Sequence, residues 1–252
     1  MFSFFHRTPE IHLDCFTTDA NVYHNTPIVH AIKTIPDWWK ELPAYSPVFG
    51  KESEEHIWSN LSKRTAKDCY AIIELYKKGI VIESWTDFTI KSTGKEGGYA
   101  YNIKHGPDPG FHTDQTGNGF PEYNHIKLSS PWIFREKSGI KFLWMGAEGA
   151  LDKYNIKVLP GVINFDIVSY TNVNIMFPKD DKDFFVSVGQ PLVQLIPLSE
   201  KKLVLKNHLI NRNEYDTMII NSASQSFYGW RKVLQLRKRN KKRGTCPFGF
   251  GD

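Results

Sequence analysis

A succession of short β-prone runs between residues 80 and 210 limits the fold of this chain more than any other feature. Turn-forming Gly, Pro, Asn and Asp separate the runs, and no helical segment alternates with them, as a doubly wound nucleotide-binding fold would require. Because proline cannot donate to a ladder, we expect Pro131 to end one strand and Trp132 to cover it. The runs are IVIESWTDFTI, YAYNIKH, HIKLSSPWIF, IKFLWM, NIKVLPGVINF, NVNIMF, DFFVSV, PLVQLIPL and KLVLKNHLI. They predict an α+β, mainly β fold, built as an antiparallel jelly roll or sandwich or as a distorted barrel.

Two segments that precede this region carry helical patterns. SKRTAKDCYAIIELYKKG has apolar residues at helical spacing and lysines in its last turn, and Gly79 is placed to end the helix. The segment IPDWWKELP predicts one helical turn with Asp37 as its N-cap. The apolar positions of the longer helix are Cys69, Ile72, Ile73 and Tyr76. We expect that helix to pack on the sheet, with EIHLDCFT as an earlier strand.

The carboxyl-terminal part is strongly basic. Residues 231–243 hold eight basic residues and no acidic one, which leaves 24 basic and 27 acidic residues elsewhere. We predict a single β-rich domain over residues 1–210 and a C-terminal helix with a basic tail over residues 211–252. We predict that nucleic acid or a partner protein contacts the basic side chains and the Trp230 ring of this tail. A helix end that is only solvated explains the same composition. The predicted contact residues are Trp230, Arg231, Lys232, Arg237, Lys238, Arg239, Lys241, Lys242 and Arg243.

Apolar runs and cysteines restrict the setting. No stretch reaches the roughly 18 apolar residues that a membrane span needs, and the segment MFSFFHRTPEIHLDC lacks the features of a signal peptide. Cys15, Cys69 and Cys246 are odd in number and far apart, which favours reduced thiols over disulfides. We therefore expect an intracellular protein with no membrane partner.

The stretch FHTDQ suggests one enzymatic alternative. His112 and Asp114 match the first part of the two-His-one-carboxylate site of iron oxygenases that use 2-oxoglutarate, and His208 is a candidate third ligand. Such a site would hold Fe(II). The simpler interpretation is a glycine-containing loop in which Asp114 makes local turn hydrogen bonds, because a match of three residues arises easily by chance. Our first prediction is no cofactor.

A second pattern runs from residue 135 to the carboxyl terminus. REKSGIKFLW, LPGVINFD, GQPLVQLIPL and RGTCPFGFGD occur in an order that resembles the dUTP pyrophosphatase family. The resemblance implies phosphate contacts by small residues, an acidic residue that activates water, and Arg243 closing over the nucleotide at a subunit boundary. Asn164 stands where that family has its catalytic Asp, and Asn cannot act as a general base. The candidate ligand-binding residues are Ser138, Gly139, Asp166 and Gln194.

Two of these candidates carry structural expectations. Asp166 is two residues beyond Asn164 and is expected on the same face of a strand. Gln194 lies between Val193 and Leu195, so its side chain projects away from theirs. A buried, hydrogen-bonded amide and a pore-facing group in an oligomer both remain open for Gln194.

A broader set of segments, spanning about residues 35–199, resembles a family of uncharacterised tailed-bacteriophage proteins with bacterial relatives, a domain of unknown function. The matching segments are IPDWWKELP, AKDCYAIIELYKKGIVIESWTDFTI, FHTDQ with SPWIF, LPGVINFD and GQPLVQLIPL, while REKSGIKF departs from the family pattern. The resemblance implies one β-rich α+β domain in a viral setting, in the host cytoplasm or the virion. We therefore predict a phage-encoded, non-enzymatic binding protein, either a virion component or an oligomeric accessory protein. Its predicted partners are its own copies, other virion proteins or nucleic acid. The alternatives are a nucleotide-binding, dUTPase-like protein and the iron oxygenase.

Overall fold

The predicted fold class is confirmed by a computed structural model, which describes residues 9–45, 64–93, 98–105, 119–148, 151, 154–220, 229, 231, 232 and 235. The described chain is mostly β with four α-helices, and its sheets curl into a half-barrel. No described helix has both the length and the apolar character needed to cross a membrane.

Thirteen strands and four helices make up the described chain. The strands are β1 Glu10–Thr17, β2 Val29–His30, β3 Ile80–Glu83, β4 Asp87–Ser92, β5 Tyr99–His105, β6 Tyr123–Arg135, β7 Lys141–Gly146, β8 Lys157–Val158, β9 Gly161–Asn164, β10 Tyr170–Pro178, β11 Asp183–Val186, β12 Pro191–Pro197 and β13 Lys202–Leu209. The helices are α1 Ala20–Asn25, α2 Asp37–Glu41, α3 Tyr70–Lys78 and α4 Arg212–Ile220, with short 3-10 turns at Ala31–Thr34 and Ala66–Asp68.

The strands form three sheets. Their orders are β13-β1-β6-β10-β8, β11-β4-β5 and β2-β3-β12-β7-β9. The β1–β13 ladder is parallel over eight residue pairs, and every other ladder in the described chain is antiparallel. Parallel partners need a long connection, and here everything between the first strand and the last supplies it.

Strand β6 runs through Pro131, so the prediction that Pro131 ends a strand is wrong. The β6–β10 ladder pairs Tyr170 with Ile133 and then Asn172 with Ser129, which leaves three β6 residues opposite Thr171 alone. Proline is tolerated at such an irregularity because no ladder donor is needed there. Trp132, one residue further on, is almost completely buried in the core.

An aromatic group in the core fixes the end of β9. Phe165 follows β9 directly, and its ring centroid lies 4.9 Å from that of Phe134 and 5.2 Å from that of Phe142. All three rings are buried, and burying a Phe side chain contributes about 1.5–3 kcal/mol. The residues on either side of Phe165, Asn164 and Asp166, are thereby held near the start of β7.

Helix α3 packs on the sheet as predicted, through buried Tyr76 against Ala31 and Val81. The predicted N-cap of α2 is wrong: Pro36 occupies that position, and Asp37 is the first helical residue. The Asp37 carboxylate instead accepts a hydrogen bond from Lys40 Nζ at 2.9 Å. The φ angle of proline is fixed near the helical value, which suits the start of a helix. Pro36 therefore takes the position directly before the first helical residue.

Helix α4 begins two residues after the last strand and packs on the first sheet. Its Tyr215 is buried against Phe16 and Ile133, and burial raises the pKa of the Tyr215 hydroxyl to about 12. The predicted division of the chain at residue 210 stays a prediction.

Candidate functional site

The connection between β6 and β7, residues 136–140, carries the predicted Ser138–Gly139 pair. Glu136 is 1% exposed, and its Oε1 accepts hydrogen bonds from the Ser138 amide, at 2.7 Å, and from the Ser138 hydroxyl. Its Oε2 accepts from the Ile140 amide at 2.9 Å. Gly139 has a φ of +78°, a left-handed conformation that favours glycine. Three donors of this connection, which we call the Glu136 turn, are therefore engaged with the chain's own carboxylate.

The end of β9 lies beside the Glu136 turn. Asn164 pairs with Lys141 in the β7–β9 ladder, and its Nδ2 donates to the Gly139 carbonyl at 3.5 Å. Its Oδ1 accepts from the Asp166 amide at 2.9 Å. The structure thus brings the Ser138–Gly139 pair and the Asn164–Asp166 segment together, while their ligand roles stay predictions. The expectation that Asp166 lies on a strand is wrong, because β9 ends at Asn164 and Asp166 belongs to the following turn.

Gln194 lies elsewhere. It sits on β12 opposite Met145, near the opposite end of β7 from Lys141. Its side chain is 2% exposed, and Nε2 donates to the Leu75 carbonyl at 2.9 Å. Of the two alternatives for Gln194, the structure therefore shows the buried, hydrogen-bonded amide. It does not bring Gln194 to the Glu136 turn. A ligand role for this residue stays a prediction.

The proposed iron ligands are only partly described. His112 and Asp114 lie outside the described residues, and His208 Nε2 is 2.8 Å from Asp14 Oδ1. The His208 ring also stacks on Phe16 with centroids 4.7 Å apart. Within the described ranges no group of three His, Cys, Asp or Glu side chains could hold a metal ion. The iron alternative stays a prediction.

The basic tail is likewise described only at its start. Arg231 and Lys232 are exposed helical residues. The remaining predicted contact residues, Trp230, Arg237, Lys238, Arg239, Lys241, Lys242 and Arg243, lie outside the described residues. Binding of nucleic acid by this tail stays a prediction.

A groove between β9 and β10 was missed by the sequence analysis. Its volume is about 480 Å³, within the ordinary range for small-molecule sites of about 300–1,000 Å³. Aromatic, amide, hydroxyl and cationic side chains face an apolar wall, and we call this site the β9–β10 groove. Its lining residues are Lys127, Trp144, Leu159, Pro160, Gly161, Val162, Ile163, Tyr170, Thr171, Asn172 and Asn174.

Two oxygen atoms of the groove residues are buried without a hydrogen-bond partner. They are Thr171 Oγ1 and Asn172 Oδ1, and Thr171 is only 2% exposed. The third such atom in the described chain, Asn207 Oδ1, belongs to β13 and does not line the groove. Leaving a buried polar atom unpaired costs about 1–3 kcal/mol, so native proteins retain few of them.

The β6–β10 ladder is irregular beside Thr171 and Asn172. Pro131 lies in the part of β6 that faces Thr171, and proline has no amide hydrogen to donate. The nearby Ser130 hydroxyl accepts from the Trp132 amide at 3.1 Å. A sequence signal for this site existed in TNVN, where polar residues interrupt a strand opposite a run that contains proline.

The opposite end of the groove is polar and positively charged. Asn174 Oδ1 lies 3.2 Å from His125 Nε2. Lys127 pairs with Asn174 across the β6–β10 ladder, and no ion-pair partner for its ammonium group is found in the described ranges. Thr171 and Asn172 therefore line the groove with two oxygens closed to solvent beside it, and Lys127 adds a cation.

Comparisons with known proteins give no family. No family model matches the chain, and no curated protein matches it. Among solved structures, a native EIAV dUTPase is similar over 54% of this chain and 80% of that one, with 13% identity and a TM-score of 0.30. A TM-score of that size does not establish a shared fold.

Proposed function

We propose that this protein binds a small, planar, polar ligand in the β9–β10 groove and acts by binding rather than by catalysis. The observation that carries the proposal is the pair of buried, unpaired oxygens at Thr171 and Asn172. Both atoms are closed to solvent, so a ligand pairs with them once the Thr171 and Asn172 side chains turn toward the groove, and each pairing then removes a cost of about 1–3 kcal/mol.

The chemistry of the lining restricts the ligand. The Asn172 side-chain oxygen can only accept a hydrogen bond, so the ligand must present an N–H or O–H group to it. Trp144 and Tyr170 supply aromatic surface on which a planar ring stacks. Lys127 favours a carbonyl or another electron-rich atom. A heterocycle with neighbouring N–H and C=O groups, as in the base of a nucleoside, meets these requirements.

The lining supports binding over catalysis. It contains no Asp, Glu, His or Cys among the described residues, and these are the usual general acids, bases and nucleophiles of hydrolytic enzymes. In the adjoining segment, Asn164 cannot serve as a general base. The dUTPase-like alternative would need both a base and a phosphate site next to the buried Glu136 carboxylate.

The biological setting remains the one that the sequence predicts. A tailed-bacteriophage protein, either a virion component or an oligomeric accessory protein, would use a ligand-binding groove for recognition. That setting rests on the sequence resemblance over about residues 35–199.

Isothermal titration with a panel of nucleosides tests the proposal. We expect at least one of them to bind the wild-type protein with a saturable isotherm, and Thr171→Val to weaken that binding about tenfold, which is about 1.4 kcal/mol. The matched control is Thr89→Val, because Thr89 is a partly buried strand residue of the second sheet that does not line the groove. Absence of binding by every nucleoside, or equal weakening by both variants, would contradict the proposal.

A further inference from the structure

We propose that Glu136 acts as an internal anion that occupies the Glu136 turn and thereby restricts the β9–β10 groove to ligands without phosphate. This inference rests on the proposed function for the identity of the groove ligand. Its account of the turn itself is independent of that ligand.

Three donors converge on one carboxylate in the turn. The Ser138 amide and the Ser138 hydroxyl donate to Oε1, and the Ile140 amide donates to Oε2. Backbone amides that converge around a left-handed glycine form the kind of concavity that binds anionic oxygens in many proteins. Here both oxygens of a buried side chain already fill it, so the donors are unavailable to an external phosphate.

A second anion at the turn would also meet unfavourable charge. Glu136 has no ion-pair partner in the described ranges, and the neighbouring Lys137 and Lys141 are exposed to solvent. Charges in water are strongly screened, whereas the buried carboxylate is screened much less. A phosphate group placed at the turn would therefore meet the poorly screened charge of Glu136.

The turn stands at the end of the groove. Ile163 lines the groove, and the next residue, Asn164, donates to the Gly139 carbonyl at 3.5 Å. On the other wall, Tyr170 follows Ser169. The Ser169 carbonyl accepts a hydrogen bond from the Phe134 amide at 2.9 Å, and Phe134 lies two residues before Glu136 in the chain. A ligand substituent that extends past Ile163 therefore approaches Glu136. The groove accepts a nucleoside or a base, and the turn rejects the corresponding phosphate ester.

Titrations of wild type and two variants test this inference. Glu136→Gln keeps the side-chain shape, and Glu136→Ala opens the turn; each is titrated with inorganic pyrophosphate while the Ser138 and Ile140 amide signals are followed by NMR. We expect no saturable shift of these signals in wild type, and saturable binding in at least one folded variant.

A nucleoside and its diphosphate are then compared. Wild type should prefer the nucleoside by at least about tenfold, and the variants should lose most of that preference.

The outcomes separate the two proposals. Saturable pyrophosphate shifts at Ser138 and Ile140 in wild type would overturn the role of Glu136, and so would the absence of any gain in every folded Glu136 variant. Equal affinity of wild type for nucleoside and diphosphate would overturn it as well. If no nucleoside binds wild type, the proposed function fails, and the pyrophosphate titration still decides whether Glu136 occupies an anion site.

Discussion

The Glu136 turn and the β9–β10 groove lie next to each other, yet they differ in how their polar groups are satisfied. In the turn, the Ser138 and Ile140 donors are all directed at one buried carboxylate. In the groove, Thr171 Oγ1 and Asn172 Oδ1 are buried without any partner. The turn carries a recognisable sequence motif and is complete in itself, whereas the groove carries none and two buried oxygens of its residues lack a hydrogen-bond partner in the described chain.

In our proposal, the sequence motif and the binding site therefore do not coincide. A Ser-Gly pattern predicts phosphate binding because it supplies hydrogen-bond donors. In this protein the Ser138 donors are already bonded to Glu136. Buried unpaired atoms cost stability, and two of the three in the described chain belong to groove residues, which is why we relate them to a ligand.

Replacing Glu136 by alanine should cause the largest loss of stability. Two amides and one hydroxyl lose a charged acceptor, and hydrogen bonds to charged groups contribute about 1.5–3 kcal/mol each, partly offset by the desolvation of the carboxylate. We expect the free energy of unfolding in urea to fall by about 3 kcal/mol. The exposed Glu122→Ala is the control and should change it by less than about 0.5 kcal/mol. A loss below about 1 kcal/mol for Glu136→Ala would mean that the carboxylate does not organise the turn.

Two Thr→Val substitutions should change stability in opposite directions. Thr171→Val removes an unpaired buried hydroxyl and should raise the free energy of unfolding by about 1 kcal/mol. Thr17→Val removes a buried hydroxyl that accepts from the Asp19 amide at 3.2 Å, and it should lower that free energy by about 1 kcal/mol. Urea unfolding of both variants measures the difference. Destabilisation by Thr171→Val would show that its hydroxyl has a partner after all and would remove the contrast between turn and groove.

Two Gly→Ala substitutions should also separate the regions, by a smaller amount. Gly139 has a φ of +78° in the Glu136 turn, so an alanine there is strained and should lower the free energy of unfolding by about 1 kcal/mol. Gly161 lines the groove, and a Cβ added to it would meet nothing within 4 Å. Gly161→Ala should therefore leave stability unchanged or raise it by about 0.5 kcal/mol, while its methyl group weakens nucleoside binding in calorimetry. Equal destabilisation by both would indicate that the groove wall is as constrained as the turn.

Asn164→Asp should have the smallest effect. An aspartate at this position still offers an oxygen to the Asp166 amide, so stability should change by less than about 0.5 kcal/mol. Because Glu136 still occupies the turn, we expect no release of pyrophosphate from dUTP above background. Measurable pyrophosphate release by this variant, with none from wild type, would show that the turn can support hydrolysis. It would contradict the contrast between the turn and the groove.

Much of the fold was predictable from the sequence, because it depends on local alternation and turn residues. The predicted helix over SKRTAKDCYAIIELYKKG becomes a 3-10 turn at Ala66–Asp68 and helix α3, and the β-prone runs become strands. The continuation of β6 through Pro131 was not predictable, since it requires an irregular ladder with a strand about 40 residues away. The parallel β1–β13 ladder was missed for the same reason: pairing partners are not a local property.

The candidate site was predictable only where neighbouring segments meet in one ladder. The Ser138–Gly139 pair and Asn164 come together because β7 and β9 are partners. That Glu136 fills the turn was not predictable, because the sequence does not show where its side chain points. The groove depends on a gap in hydrogen bonding at Thr171 and Asn172, and only three-dimensional neighbours reveal such a gap.

An NMR titration of the wild-type protein with the nucleoside panel tests the central claim most directly. The signals to follow are the Thr171 backbone amide, the Asn172 side-chain amide and the Ser138 amide. The account predicts saturable shifts at Thr171 and Asn172 with at least one nucleoside, and little change at Ser138. Shifts confined to Ser138, or none at Thr171 and Asn172 with any nucleoside, would contradict it.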